Sequence, residues 1–291
     1  MNSDYGPDSK LDQASFAAIA DLAYRESGLQ LVAEKTSMIQ SRLRHRLRAL
    51  GISTFEAYCR FILSESGTSE RRMMISALTT NVSHFFRENH HFEILKSTII
   101  PLVLPKVRAG GPLRIWSAGC SNGQEACSIA MVLLNSIPDA ESLNIRVLAT
   151  DIDPRVIEFA QAGEYSKKLV SGIQPDWLNK YFHEYSAKGE LAYRTKPEIR
   201  KMITYRELNL LSAWPMKQMI DVIFCRNVVI YFDSRTQQTL WPRFNKVLTK
   251  EGYLFLGHSE RIVDVDRMGF TNDGPTTYRP WSHGGSANIS S

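Results

Sequence analysis

The sequence predicts an α/β domain built on a parallel sheet, preceded by an all-helical segment and interrupted by a small antiparallel insertion. Three observations predict it. From Leu113 onward, short apolar runs alternate with helical segments, the pattern of a parallel sheet covered on both faces. From about Leu11 to Thr80, apolar residues recur at helical spacing and strand-like alternation is absent. From Ser166 to Arg206 the strand–helix rhythm breaks into a short helix and two strand-like runs.

The helical segment is punctuated by Gly51 and Gly67. Its clearest helix is Ser37–Leu50. At 100° per residue, Ile39, Leu43, Leu47 and Leu50 share one face, and Arg42, Arg44, His45 and Arg48 share the other. Gly51 stands where a C-terminal cap belongs. In the α/β part, Leu113–Ser117 reads as a strand, about 124–136 as a helix and Ile145–Thr150 as a second strand. Asp151-Ile-Asp-Pro then opens a helix, with Pro154 at an early position. Ile220–Cys225 is a buried strand, Arg235–Leu248 a helix and Gly252–Gly257 a further strand. Inside the insertion, Pro175–Phe182 is helical, and Leu191–Thr195 and Ile199–Tyr205 are the expected strands. The polar ends, 1–10 and 282–291, are expected to be disordered.

Composition narrows the class. With 43% hydrophobic and 22% charged residues the chain reads as globular. The best apolar run, Ile99–Leu104, is too short to cross a bilayer and contains Pro101, and Met1–Lys10 lacks the layout of a signal peptide. A cytoplasmic location is expected. Cys59, Cys120, Cys127 and Cys225 form no C-x-x-C pair, so free thiols are expected in place of a disulfide framework or a metal site. The net charge of +5 favours acidic partners. Lys35–Phe55 holds five Lys/Arg and no acid, and Tyr165–Arg206 holds nine against four.

Several segments have the residue types of a ligand site. Ser117-Ala-Gly-Cys-Ser-Asn-Gly-Gln-Glu125 follows a strand and precedes a helix; its small residues let the backbone turn sharply and approach a ligand. A tight strand-to-helix turn without a ligand is the plainer alternative. Asp151, at the end of the next strand, has the position of a carboxylate that accepts ribose hydroxyls, and Asp153 suits the helix cap; Asp151 as a second cap is the plainer alternative. Phe224–Phe232 delivers Arg226 and Asn227 to the same sheet edge, toward a ligand or an internal hydrogen-bond network. Thr79–Glu88 packs polar and aromatic residues just ahead of the α/β part.

Together these segments resemble the chemotaxis receptor methyltransferases, the CheR family. The resemblance is carried by Thr79–Phe92, Trp116–Met131, Ala149–Asp153, Leu208–Leu211, Phe224–Asp233 and Gly252–Glu260, in the family's order over roughly 11–280. It implies a helical receptor-docking domain over 11–85, a class I S-adenosylmethionine (SAM)-dependent methyltransferase domain of Rossmann-like fold over 90–280, and an antiparallel β-subdomain inserted at 166–206. It also implies cofactor contacts at Asn81, Ser83, Arg87, Glu125, Asp151, Asn209, Leu210, Arg226 and Asn227. Ser83 stands where Thr is usual, and Gln124 and Ala126 replace an acid and a proline.

The implied reaction moves a methyl group from SAM to a receptor glutamate, giving a methyl ester and S-adenosylhomocysteine. No metal is expected. Arg87 and Tyr231 are the candidates beside the reacting atoms, Arg87 through its planar fork and Tyr231 through its hydroxyl; a core aromatic is the other reading of Tyr231. By the same resemblance, Arg42, Arg44, His45 and Arg48 face the receptor's methylated helices, against the alternative of a solvated face. A receptor C-terminal peptide is a further expected partner at the inserted subdomain, and the chain is expected to act as a monomer, without nucleic acid or membrane insertion. Two rival readings are a nucleic-acid methyltransferase on the same fold and a catalytically silent SAM-binding module. Against the first, Arg226-Asn-Val-Val-Ile-Tyr231 lacks the Asn/Asp-Pro-Pro-aromatic pattern usual in amino-methylating DNA enzymes. The second draws on Gln124 and Ala126.

Overall fold

A computed structural model describes residues 10–187 and 189–281. Apart from Lys10, the expected disordered ends lie outside these residues. The helical segment forms α1 (Gln13–Ser27), α2 (Thr36–Leu50), α3 (Phe55–Leu63) and α4 (Thr68–Leu78). Asp12 caps α1 by accepting from Ser15 N at 2.9 Å, and Thr54 caps α3 by accepting from Ala57 N at 3.2 Å. Ile39, Leu43 and Leu47 of α2 enter a core with Ile19, Leu22, Tyr58, Ile62 and Met74. Leu50, expected on that face, is 38% exposed because α2 ends there and Gly51 turns the chain away with φ +67°. Arg46 also points inward. Its guanidinium binds the buried Glu70 at 2.9 and 2.6 Å, and Tyr58 donates to the same carboxylate at 2.9 Å.

A helical stretch follows: α5 (His90–Ile94), a π-turn at Leu95–Ile99, and α6 (Ile100–Arg108). The α/β part then runs β1 (Leu113–Ala118), α7 (Gln124–Ser136), β2 (Ile145–Asp151), α8 (Pro154–Ala162), β3 (Glu164–Ser166), α9 (Pro175–Tyr181), β4 (Phe182–Ala187), β5 (Glu190–Thr195), α10 (Pro197–Met202), β6 (Ile203–Glu207), β7 (Ile220–Cys225), α11 (Ser234–Val247), β8 (Leu248–Leu256), β9 (Phe270–Gly274) and β10 (Thr277–Pro280). The large sheet has the order β6-β2-β1-β7-β8-β10-β9. From β6 to β8 its strands are parallel, and β10 is antiparallel to both neighbours.

Alternation explains why β1 and β7 read as continuous apolar runs. Ile115 and Phe224 face one core, with Ile129 and Leu133 of α7 and Phe92 of α5. Trp116 and Ile223 face the other, with Leu240, Trp241 and Phe244 of α11. The small sheet has the order β3-β5-β4 and is antiparallel. One sequence expectation fails here. Ile199–Tyr205 is not a strand of the insertion: Pro197 starts the short helix α10, and β6 leaves it to pair with β2 at the edge of the large sheet. The four cysteines are buried free thiols. Among the described residues, no helix is long and apolar enough to cross a membrane.

Candidate functional site

The strand order reverses between β1 and β7, so the connections leaving these neighbours run in opposite directions and open a crevice at their carboxyl ends. An open cleft of about 990 Å³ lies there, walled on its other side by Ser27, Leu29 and Thr79–His84 of the helical part and the segment after it. The turn after β1 forms its floor. Gly119 has φ +90°, and a Cβ there would lie 2.3 Å from Val228, so only glycine lets the β1 turn touch the β7 turn.

Asp151 ends β2 and lines the cleft. Its Oδ2 accepts from Ser121 N at 2.8 Å and its Oδ1 from Asp153 N at 3.0 Å, which leaves each oxygen a further lone pair. Burial pushes its carboxyl up and these backbone bonds pull it back. Asp153 is the cap of α8, accepting from Arg155 N at 2.9 Å. It also takes Ser76 Oγ and, at 2.9 Å, Asn81 Nδ2. Asn81 therefore lines the cleft with its side chain pinned, and its carbonyl accepts from Ser121 Oγ at 3.0 Å.

Glu125, in the first turn of α7, is held by Ser117 Oγ at 2.6 Å and pairs with Arg226 Nε at 3.2 Å. Burial raises its carboxyl; Arg226 and the Ser117 hydroxyl counter that. Arg226 also donates to the carbonyl of Arg87 and, at 3.4 Å, to Nδ1 of His91. His91 is fully buried, and burial, then the charge of Arg226, lowers its pKa to about 3. The ring is thus neutral, accepts at Nδ1 and meets Thr276 Oγ1 at 3.0 Å through Nε2. Arg87 lines the cleft and donates to Val82 O at 3.2 Å. Ser83 lines it too, its carbonyl 3.5 Å from Nε2 of the buried Gln124.

On the opposite wall, Asn227 adopts φ 59°, and its N–H donates to Glu260 at 2.8 Å. Leu210 lines the cleft while its carbonyl accepts from Arg243 at 2.6 Å. Asn209 lines it as well, but its side chain ties two parts of the chain, donating to Glu26 O at 2.7 Å and accepting from Leu211 N at 2.9 Å. Tyr231 packs against the helical core and lines the cleft; among the described residues its hydroxyl has no hydrogen-bond partner. All the cofactor and reacting-centre candidates read from the sequence therefore meet in one cleft.

The basic face of α2 does not line the cleft, although Arg42 reaches the back of its Thr79–Thr80 wall. Arg42 donates to Leu78 O at 2.7 Å, Thr79 O at 2.9 Å and Thr80 Oγ1 at 3.1 Å, capping the end of α4. The Nε of Arg44 is buried without a partner, while His45 and Arg48 are exposed. Ser121 also lines the cleft, while Ser117, Glu88, His91 and Glu260 lie behind it and bond to its lining residues Glu125, Arg226 and Asn227; none of the five was read as a site residue. Ser117, Ser121, Glu88 and Glu260 stand inside the motifs as hydrogen-bonding residues next to assigned ones, which was the available signal.

Comparison with known proteins agrees with this architecture. The family model described as "CheR methyltransferase, SAM binding domain" matches residues 81–277, and "CheR methyltransferase, all-alpha domain" matches residues 14–79. A probable chemotaxis protein methyltransferase of Rhizobium etli is 43% identical over 89% of this chain and 96% of its own length. Chemotaxis protein methyltransferases of Escherichia coli K12 and Pseudomonas aeruginosa are 37% and 35% identical, covering 92% and 91% of this chain and 91% and 92% of theirs. With both its helical part and its sheet part matched, the chain belongs to the CheR methyltransferase family.

Proposed function

We propose that this SAM-dependent methyltransferase esterifies glutamate side chains on the cytoplasmic helices of a chemoreceptor. The observation that carries the reading is the unpartnered hydroxyl of Tyr231 in the same cleft as Asp151 and Arg87. The cleft fits the cofactor. Asp151 keeps lone pairs for ribose hydroxyls, and Arg87, with one hydrogen bond to Val82, keeps donors for the methionine carboxylate. Glu125 and Arg226 neutralise one another and hold the Arg87 backbone in place. When bound, SAM supplies a methyl group on a positively charged sulfur.

A carboxylate is already nucleophilic toward such a carbon, so the work left to the chain is orientation. Tyr231 donates to the incoming carboxylate and aligns it, and Arg87 holds the opposite partner. Such alignment is worth about 7–11 kcal/mol at best. Arg44 and the exposed Arg48, with the exposed His45 beside them, form the basic face toward an acidic receptor helix. A receptor C-terminal peptide would find an open strand edge in the small sheet at β4, which among the described residues pairs only with β5.

The test is transfer from methyl-labelled SAM to receptor cytoplasmic fragments. Label should appear on the receptor and be released as methanol by mild base, as an ester requires. Base-stable label, label on added nucleic acid, or none at all would sink the proposal.

A further inference from the structure

Glu260 is 4% exposed, and its carboxylate meets backbone N–H groups. Its Oε2 accepts from Asn227 N at 2.8 Å and Gly257 N at 2.6 Å, and its Oε1 accepts from Ile230 N at 3.2 Å. Burying a carboxylate is costly unless such bonds compensate for lost water. The three donors come from two different loops: Asn227 and Ile230 from the turn after β7, and Gly257 from the turn after β8. Glu260 therefore fastens one loop to the other.

The fastened turn is a demanding one. Asn227 sits in the left-handed region at φ 59°. Gly257 packs directly on it: a Cβ at 257 would lie 2.5 Å from Asn227 Nδ2. Asn227, Val228 and Tyr231 of this turn line the cleft, whereas Glu260 does not. The Ile230 amide, held by Oε1, immediately precedes Tyr231.

We infer that Glu260 is a positioning residue for methyl transfer: its buried carboxylate holds the turn from Asn227 to Tyr231 so that the Tyr231 hydroxyl meets the acceptor. This rests on the role given to Tyr231 above. Glu260→Gln separates the two halves of the grip. The amide keeps one good acceptor, which serves the paired donors of Asn227 and Gly257. Its NH2 group then faces the N–H of Ile230, donor against donor.

In this variant, calorimetric affinity for S-adenosylhomocysteine should stay within about twofold, since only one grip is lost and it lies away from Asp151 and Arg87. The kcat toward a receptor fragment should fall roughly tenfold with little change in KM. Amide hydrogen exchange should quicken at Ile230 and Tyr231 while β7 stays protected. In a Tyr231→Phe background, Glu260→Gln should add no further loss of kcat. Wild-type exchange at Ile230 and Tyr231, or losses that multiply in the double variant, would overturn the inference. If Tyr231→Phe alone leaves kcat unchanged, it is the reading of Tyr231 that fails, and the exchange measurement still decides whether Glu260 holds the turn. Should Glu260→Gln not fold, Glu260→Asp keeps two acceptors set back by one carbon, and the same exchange and double-variant readouts apply.

Discussion

At the scale of the residue, Arg226 organises one wall of the cleft through partners of opposite kinds. It pairs with the carboxylate of Glu125, donates to the Arg87 carbonyl, and donates to a His91 ring that must stay neutral to accept. This has a pH consequence with a definite sign. The folded His91 has its pKa lowered to about 3, against an ordinary value of 6.5. Between these values the unfolded chain binds a proton that the folded chain refuses, so stability falls as pH drops from 6.5 toward 3. Thermal unfolding of His91→Gln across pH 6.5 to 4 should show a shallower decline than wild type; parallel curves would contradict the assignment. Asp151, Arg226 and Asn227 were legible as candidates because polar residues at the end of an apolar strand are conspicuous. His91 and Glu260 stand inside quoted motifs, but their roles were not legible, because their partners, Thr276 and the Asn227 turn, come from distant parts of the sequence.

At the scale of the element, α2 shows how a basic helix divides its charges. At 100° per residue Arg46 falls within the apolar stripe beside Ile39, whereas Arg44, His45 and Arg48 fall on the opposite side, so periodicity already sets Arg46 apart from the outer arginines. Arg46 enters the core to meet Glu70, and Arg42 caps α4 through three oxygens; His45 and Arg48 remain on the surface. Arg42→Ala should therefore destabilise the fold by about 1–2 kcal/mol, seen as a lower Tm, by leaving the α4 carbonyls without their donor. Arg48→Glu should leave Tm unchanged while weakening receptor methylation and its dependence on salt, with cofactor affinity intact. Equal methylation by the Arg48 variant would remove α2 from the docking face. The main strands and helices were readable because each buried strand serves two cores. The β3, β4, β9 and β10 strands were not read, and β6 only in part: β3 and β10 are short, β4 alternates weakly, β9 is mostly polar, and β6 is separated from α10 only at Ile203. Pro197, at the first turn of α10, was the overlooked signal.

At the scale of the whole molecule, the cleft belongs to neither part alone. Gln30 N donates to Tyr231 O at 2.9 Å, Tyr24 to Asp233 at 2.8 Å and Asn209 to Glu26 O at 2.7 Å, while Ser76 and Asn81 both reach Asp153. These bonds seat the helical part over the carboxyl ends of the parallel strands and wall the cleft from its second side. The central claim of the proposed function is that this shared cleft holds the cofactor, with Asp151 gripping it from β2. Its most direct test is calorimetric titration of S-adenosylhomocysteine into the wild-type chain and into Asp151→Ala. The expected result is one-to-one binding in the wild type and an affinity about tenfold to a hundredfold weaker in the variant, the cost of losing hydrogen bonds to a charged acceptor. Equal affinity in the two proteins would contradict it.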